Sequence, residues 1–152
     1  MYDRILLPTD DSISVETAIE HAIDAAQRYD AQLHVLYVID EEVYAAYSGD
    51  EYVHEREGLE TALEQEGEDA ITVVTEKAAD AGIEVIPDVR HGVPHEEILS
   101  YADEADIDML ILGSKHRSGE YRQLLGSVAE RVSRLSDRPV TIVKTKIKPR
   151  ST

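Results

Sequence analysis

The chain is predicted to be a doubly wound α/β domain: a five-stranded parallel sheet in the order 3-2-1-4-5, with helices on both faces as in Rossmann-like three-layer sandwiches. First, five short β-branched or leucine-rich runs, Arg4–Leu7, Gln32–Val38, Ile83–Val89, Ile107–Leu112 and Val140–Lys144, are spread along the 152 residues. Second, helical patterns separate them in strict alternation without repeat or linker, as expected for parallel strands joined by right-handed crossovers. Third, four of the runs are nearly continuous in apolar residues, as strands buried on both faces must be. Ile83–Val89 instead alternates and carries Pro87, which marks an edge strand.

The helices follow from spacing and end signals. Val15, Ala18, Ile19, Ala22, Ala26 and Tyr29 share one face of the first helix, with Ser12 or Ser14 as its cap. The second is predicted over Glu57–Ala81 and closes at Gly82. The third opens on Pro94, with Glu96 and Glu97 in a first turn where the helix dipole favours acids. The fourth carries Leu124, Val128, Val132 and Leu135 and stops before Pro139. Between the second strand and second helix lies Asp40–Gly58, polar, with three tyrosines and no clean period. It reads either as a mobile loop or lid, or as a connection with no role of its own. Residues 1–152 are read as one domain ending in a frayed basic tail over 146–152.

Composition removes several kinds of function. The absence of cysteine excludes disulfides, thiolate metal sites and thiol chemistry. No apolar run approaches a membrane span, and MYDRILLPTDD has neither the basic start nor the apolar core of a signal peptide, so a cytoplasmic protein is expected. Asp and Glu number 32 against 15 Lys and Arg, a net charge of −17, which disfavours nucleic acid and anionic membrane as partners. Five of those cations are Lys, and Phe and Trp are absent. Such a composition suits a halophilic, salt-rich cytoplasm, where screening over about 3 Å at 1 M salt relieves carboxylate repulsion; the alternative is an ordinary acidic protein.

The charge is unevenly placed. Residues 1–112 hold 29 acids and five bases, whereas residues 113–152 hold ten bases and three acids. An anion would find its welcome in the last quarter. The predicted strand order puts a topological switch point between strands one and four, whose carboxyl ends lead into Leu7-Pro8-Thr9-Asp10 and Gly113-Ser114-Lys115. Glycines let backbone amides approach a ligand closely, and a helix N-terminus adds free N–H donors. Gly113, Gly119 and Gly126-Ser127 supply both, and Lys115, Arg117 and Arg122 add positive charge. On spacing alone the same residues also serve as turns and as a capping box, Ser127-Val-Ala-Glu130.

The segment GSKHRSGEYRQLLGSVAERVSRLSDRPVTIVK, Gly113–Lys144, resembles the C-terminal signature of the universal stress protein family: G-x-x-G, nine residues, then G-[S/T]. Ile5–Asp10, Leu33–Asp40 and Gly92–Ile98 resemble the family too. The resemblance covers the chain except for the Asp40–Ala81 region. It implies the five-stranded fold above and, in one branch of the family, ATP binding with a divalent metal, Mg or Mn. Pro8, Thr9, Asp10 and Val38 would then enclose the adenine and ribose side. Gly113, Ser114, Lys115, His116, Arg117, Ser118 and Gly119, with Gly126, Ser127 and Val128, would hold ribose and phosphates. The family also implies a homodimer through the last strand, Val140–Lys144, an apolar edge without protection.

His116 stands where the signature has its second glycine. Its ring either donates to phosphate or metal, or is an exposed loop histidine that weakens binding. Asp10-Asp11 reads either as a ligand to a phosphate-bound metal or, at Asp11, as a helix cap, and His95 with Glu96 and Glu97 has no metal-ligand spacing. His34 reads as a core histidine, and His95, Glu96 and Glu97 as a solvated first turn. No nucleophile–base arrangement or P-loop is present. The reading is therefore an ATP-binding stress-response module, hydrolysing slowly at most. The alternatives are an interaction protein without nucleotide, or a slow metal-dependent nucleotide hydrolase using Asp10.

Overall fold

The computed structural model describes residues 2–9, 16–40, 53–113 and 127–144. They form strands β1 (Arg4–Thr9), β2 (Gln32–Asp40), β3 (Val85–Gly92), β4 (Met109–Gly113) and β5 (Val140–Val143), with helices α1 (Glu16–Tyr29), α2 (Val53–Asp80), α3 (Pro94–Glu104) and α4 (Ser127–Leu135). All the strand pairs are parallel and the order is β3-β2-β1-β4-β5, as the sequence predicts. Alternate residues face opposite ways. Ile5, Leu7, Leu33, Val35, Ile39 and Ile111 pack under α1 and α2. Leu6, Leu36, Val38, Leu110 and Leu112 pack under α3 and α4.

Three helices end in one way. Asp30, Gly82 and Asp106 each adopt positive φ (53°, 76° and 51°). The following amide then folds back onto an alanine carbonyl: Ala31 to Ala26 at 2.9 Å, Ile83 to Ala78 at 2.8 Å, Ile107 to Ala102 at 3.0 Å. This is the left-handed cap that satisfies a late helical carbonyl and turns an apolar residue inward.

Several boundaries differ from the sequence reading. β1 runs on to Thr9, so Pro8 and Thr9 belong to a central strand rather than the loop after it. The β1–β2 register continues through Pro8 to Thr9, paired with Tyr37, and tolerates the missing N–H. α2 starts at Val53, so residues 53–58 of the expected lid are helical and Asp40 closes β2. Glu and Arg are strong helix formers, and Gly58 sits where a Cβ would meet nothing within 4 Å, so the helix passes through it. The rest of that lid, and Val15 and Leu124, lie outside the described residues. Tyr29 and Leu135, expected on buried faces, are 45% and 56% exposed. Each is the last residue of its helix, beyond the sheet contact.

Candidate functional site

The strands bring their carboxyl ends to one edge of the sheet. Thr9 closes β1, Gly113 closes β4, and Val38 lies next to the end of β2. Pro8, Thr9, Val38 and Gly113 are all buried. Gly113 is in register with Val143 of β5, and Thr9 with Tyr37 of β2, whose next residue is Val38. α4 begins at Ser127, which is exposed, followed by half-buried Val128. In a parallel sheet the helix after a strand starts on the carboxyl side, so its free amides face this same edge. Asp10, Ser114, Lys115, His116, Arg117, Ser118, Gly119 and Gly126 lie outside the described residues.

Hydrogen bonding between the strands opens this edge. β1 pairs with β2 over six positions, but with β4 only at Ile5–Met109 and Leu6–Leu110. The β1–β4 ladder stops two residues before Pro8, which has no N–H to donate. Past that point the two strands that flank the switch point share no further rungs. A crevice between β1 and β4 at their carboxyl ends is where open α/β sheets receive ligands.

On the α3 face of β2 and β3 lies a polar chain that sequence reasoning found only in part. His34 is 6% exposed, and its Nδ1 is hydrogen-bonded to the Tyr101 hydroxyl at 2.7 Å. Nε2 of His34 is buried with no hydrogen-bond partner among the described residues. The Arg90 guanidinium sits 4.9 Å from the centre of the Tyr101 ring and is held by Asp88 at 3.0 Å and Glu104 at 2.5 Å. Burial pushes the His34 pKa down, helped by the charge of Arg4, and pushes the Tyr101 hydroxyl up, helped by Asp88. The core placement of His34 was legible; its partner Tyr101 was not, because only the fold brings α3 over β2. In the first turn of α3, Glu96 is exposed as expected, while His95 and Glu97 are half-buried.

Comparison with known proteins agrees with this architecture. The universal stress protein family matches residues 1–144. Universal stress protein MJ0531 of Methanocaldococcus jannaschii is 34% identical over 145 residues, 95% of this chain and 83% of its own length. MJ0577 of the same organism is 32% identical over 157 residues, 96% and 97% of the two chains. Its solved structure superposes with a TM-score of 0.83, covering 97% of this chain and 99% of that one. A universal stress protein solved in complex with cAMP shares the fold at a TM-score of 0.68 and 23% identity, with 95% and 98% covered. Strand order and these matches lead to one conclusion: the chain belongs to the universal stress protein family.

Proposed function

We propose that this chain is an adenine-nucleotide-binding regulatory module, taking ATP with Mg²⁺ or Mn²⁺ in the crevice between β1 and β4. The observation that carries the reading is the β1–β4 ladder ending before Pro8, with the start of α4 on the same edge. The buried residues there suit an adenine ring, and free helix amides with the basic 113–152 segment suit phosphates. In this reading Pro8, Thr9, Asp10 and Val38 flank base and ribose. Gly113 to Gly119, Gly126, Ser127 and Val128 receive ribose and phosphates, and the metal offsets phosphate charge. That a relative of the same fold holds cAMP accords with an adenine ligand. Occupancy changes the surface shown to a partner.

The test is thermal unfolding in molar KCl, with and without excess ATP and Mg²⁺ or Mn²⁺, on wild type and His116→Gly. Ligand at about 100 times its Kd adds roughly 2.7 kcal/mol, a shift of several degrees. A shift in wild type supports the reading. A shift confined to His116→Gly favours an interaction protein that gave up its nucleotide, and no shift in either discards ATP. The same reading includes halophilic behaviour, with stability rising as KCl is added. It also includes a homodimer through β5, where Val140 and Ile142 are half-buried and Thr141 is exposed. Sedimentation of wild type against Ile142→Pro checks that dimer. Leu110 donates to the Pro139 carbonyl, so in the parallel ladder the Thr141 N–H points at β4 and the Ile142 N–H at the free edge.

A further inference from the structure

A second site lies away from the crevice, where α2 crosses the end of β3. The sheet-facing stripe of α2 runs through Gly67, Ile71, Val74 and Ala78, all buried. Continued towards the helix N-terminus at the same spacing, that stripe meets Glu64 and Glu60, one turn apart. β3 changes character at the same level. Val85 and Val89 pack into the core under α2, and the next residue of that row is His91. Leu63 still packs against the core at this level, and Glu60, Glu64 and His91 stand exposed at its rim.

The three side chains converge. One ligand atom from each of Glu60, Glu64 and His91 lies within 4.8 Å of the others, and His91 Nε2 is 3.4 Å from Glu64 Oε1. Carboxylates one turn apart on a helix repel, which favours splaying rather than convergence. The 3.4 Å separation is long for a charge-assisted hydrogen bond, which spans about 2.7–2.9 Å. It equals the edge, about 3.4 Å, of a tetrahedron with metal–ligand bonds of about 2.0–2.2 Å.

We propose that Glu60, Glu64 and His91 form a divalent transition-metal site, separate from the nucleotide crevice and filled without nucleotide. One imidazole nitrogen and two carboxylates are a donor set for Zn²⁺, Mn²⁺ or Co²⁺ rather than the all-oxygen set of Mg²⁺ or Ca²⁺. The side chains of Glu64 and His91 are 49% and 45% exposed, so an ion enters from solvent and keeps water at its open positions. The 29 acids of residues 1–112 raise the local concentration of cations. The ion would clamp α2 to β3 next to the end of β2.

The probes are Zn²⁺ by calorimetry and Co²⁺ by visible absorption. Both use nucleotide-free full-length protein with millimolar Mg²⁺ present, on wild type, Glu64→Gln, His91→Gln and the double variant Glu60→Gln/His91→Gln. Circular dichroism confirms that each variant is folded. The expected result is one Zn²⁺ per chain, bound more than about tenfold more weakly by each single variant. A Co²⁺ ligand-field band should be lost in the double variant, and neither signal should respond to His116→Gly. Equal binding by wild type and the double variant would mean an adventitious ion only and overturn the site, as would a wild type without a Co²⁺ band.

Discussion

Gly67 of α2 lies flat against the ring of Tyr37 on β2: a Cβ at position 67 would stand 2.8 Å from Cδ1 of that ring. Tyr37 is 4% exposed and cannot swing clear. Alanine in a free helix position gains about 1 kcal/mol over glycine, but here overpacking should dominate. Gly67→Ala is expected to lower stability by about 1–3 kcal/mol in urea unfolding. Gly58→Ala, in the same helix with open space around it, should instead hold or raise stability. Equal effects from the two variants would contradict the close approach.

The two aspartates at left-handed caps are expected to be improvable. Asp30 and Asp106 adopt a conformation that glycine reaches without strain, and each puts a negative charge where the helix dipole disfavours it. Asp30→Gly and Asp106→Gly should each stabilise by up to about 1 kcal/mol, or a Tm rise of roughly 2–4 °C. Gly82→Asp should do the reverse. Calorimetric scans of the three variants decide it.

His34 should make the fold acid-sensitive. Its folded pKa is depressed, chiefly by burial, so the unfolded chain takes up a proton that the folded chain refuses. Above the ordinary histidine value near 6.5 this has no effect; as pH falls below it, stability is lost until the folded pKa is reached. Wild type should lose up to about 1.4 kcal/mol per pH unit more than His34→Gln in that window. Urea titrations at several pH values between neutrality and the carboxylate range measure the difference, and parallel curves would remove His34 as the cause.

Asp108 ties the start of β1 to β4. Its Oδ2 accepts from the amides of Asp3 at 2.8 Å and Arg4 at 2.9 Å, while its own amide donates to the Arg4 carbonyl at 2.8 Å. Asp108→Ala keeps the last bond and forfeits the first two. A loss of about 1–2 kcal/mol is expected, with a smaller loss for Asp108→Asn, whose amide oxygen still accepts. Faster exchange of the Asp3 and Arg4 amides in Asp108→Ala would locate the effect.

Strand order was legible because buried strands and an edge strand have different patterns. Pro87 and the alternation around it placed β3 at the rim, where it is found. The α1 stripe Ala18, Ile19, Ala22, Ala26 was equally clear and is buried as read. The start of α2 was not, because VHEREG, residues 53–58, holds one apolar residue and so has no apolar period. Pro8 misled for a sound reason: proline usually ends a central strand. Its place inside β1 depends on the β2 side not needing that N–H, which only the register discloses. The meeting of Glu60, Glu64 and His91 was invisible in the same sense. Glu60 and Glu64 signalled only a helix face until β3 was laid beside it.

The two-rung join between β1 and β4 makes the sheet a pair of panels, β3-β2-β1 and β4-β5. Beyond those rungs and the bond from the Asp108 amide to the Arg4 carbonyl, side chains hold the panels together: Ile5, Leu7, Met109 and Ile111 on one side, Leu6, Leu110 and Leu112 on the other. Apolar adhesion weakens on cooling. Chill, more than heat, is therefore the condition under which this joint loosens ahead of the panels it connects. Amide exchange near freezing would register it as faster exchange in β4 relative to β2, and an unchanged ratio would deny it. The loosening would begin at the rim of the crevice itself.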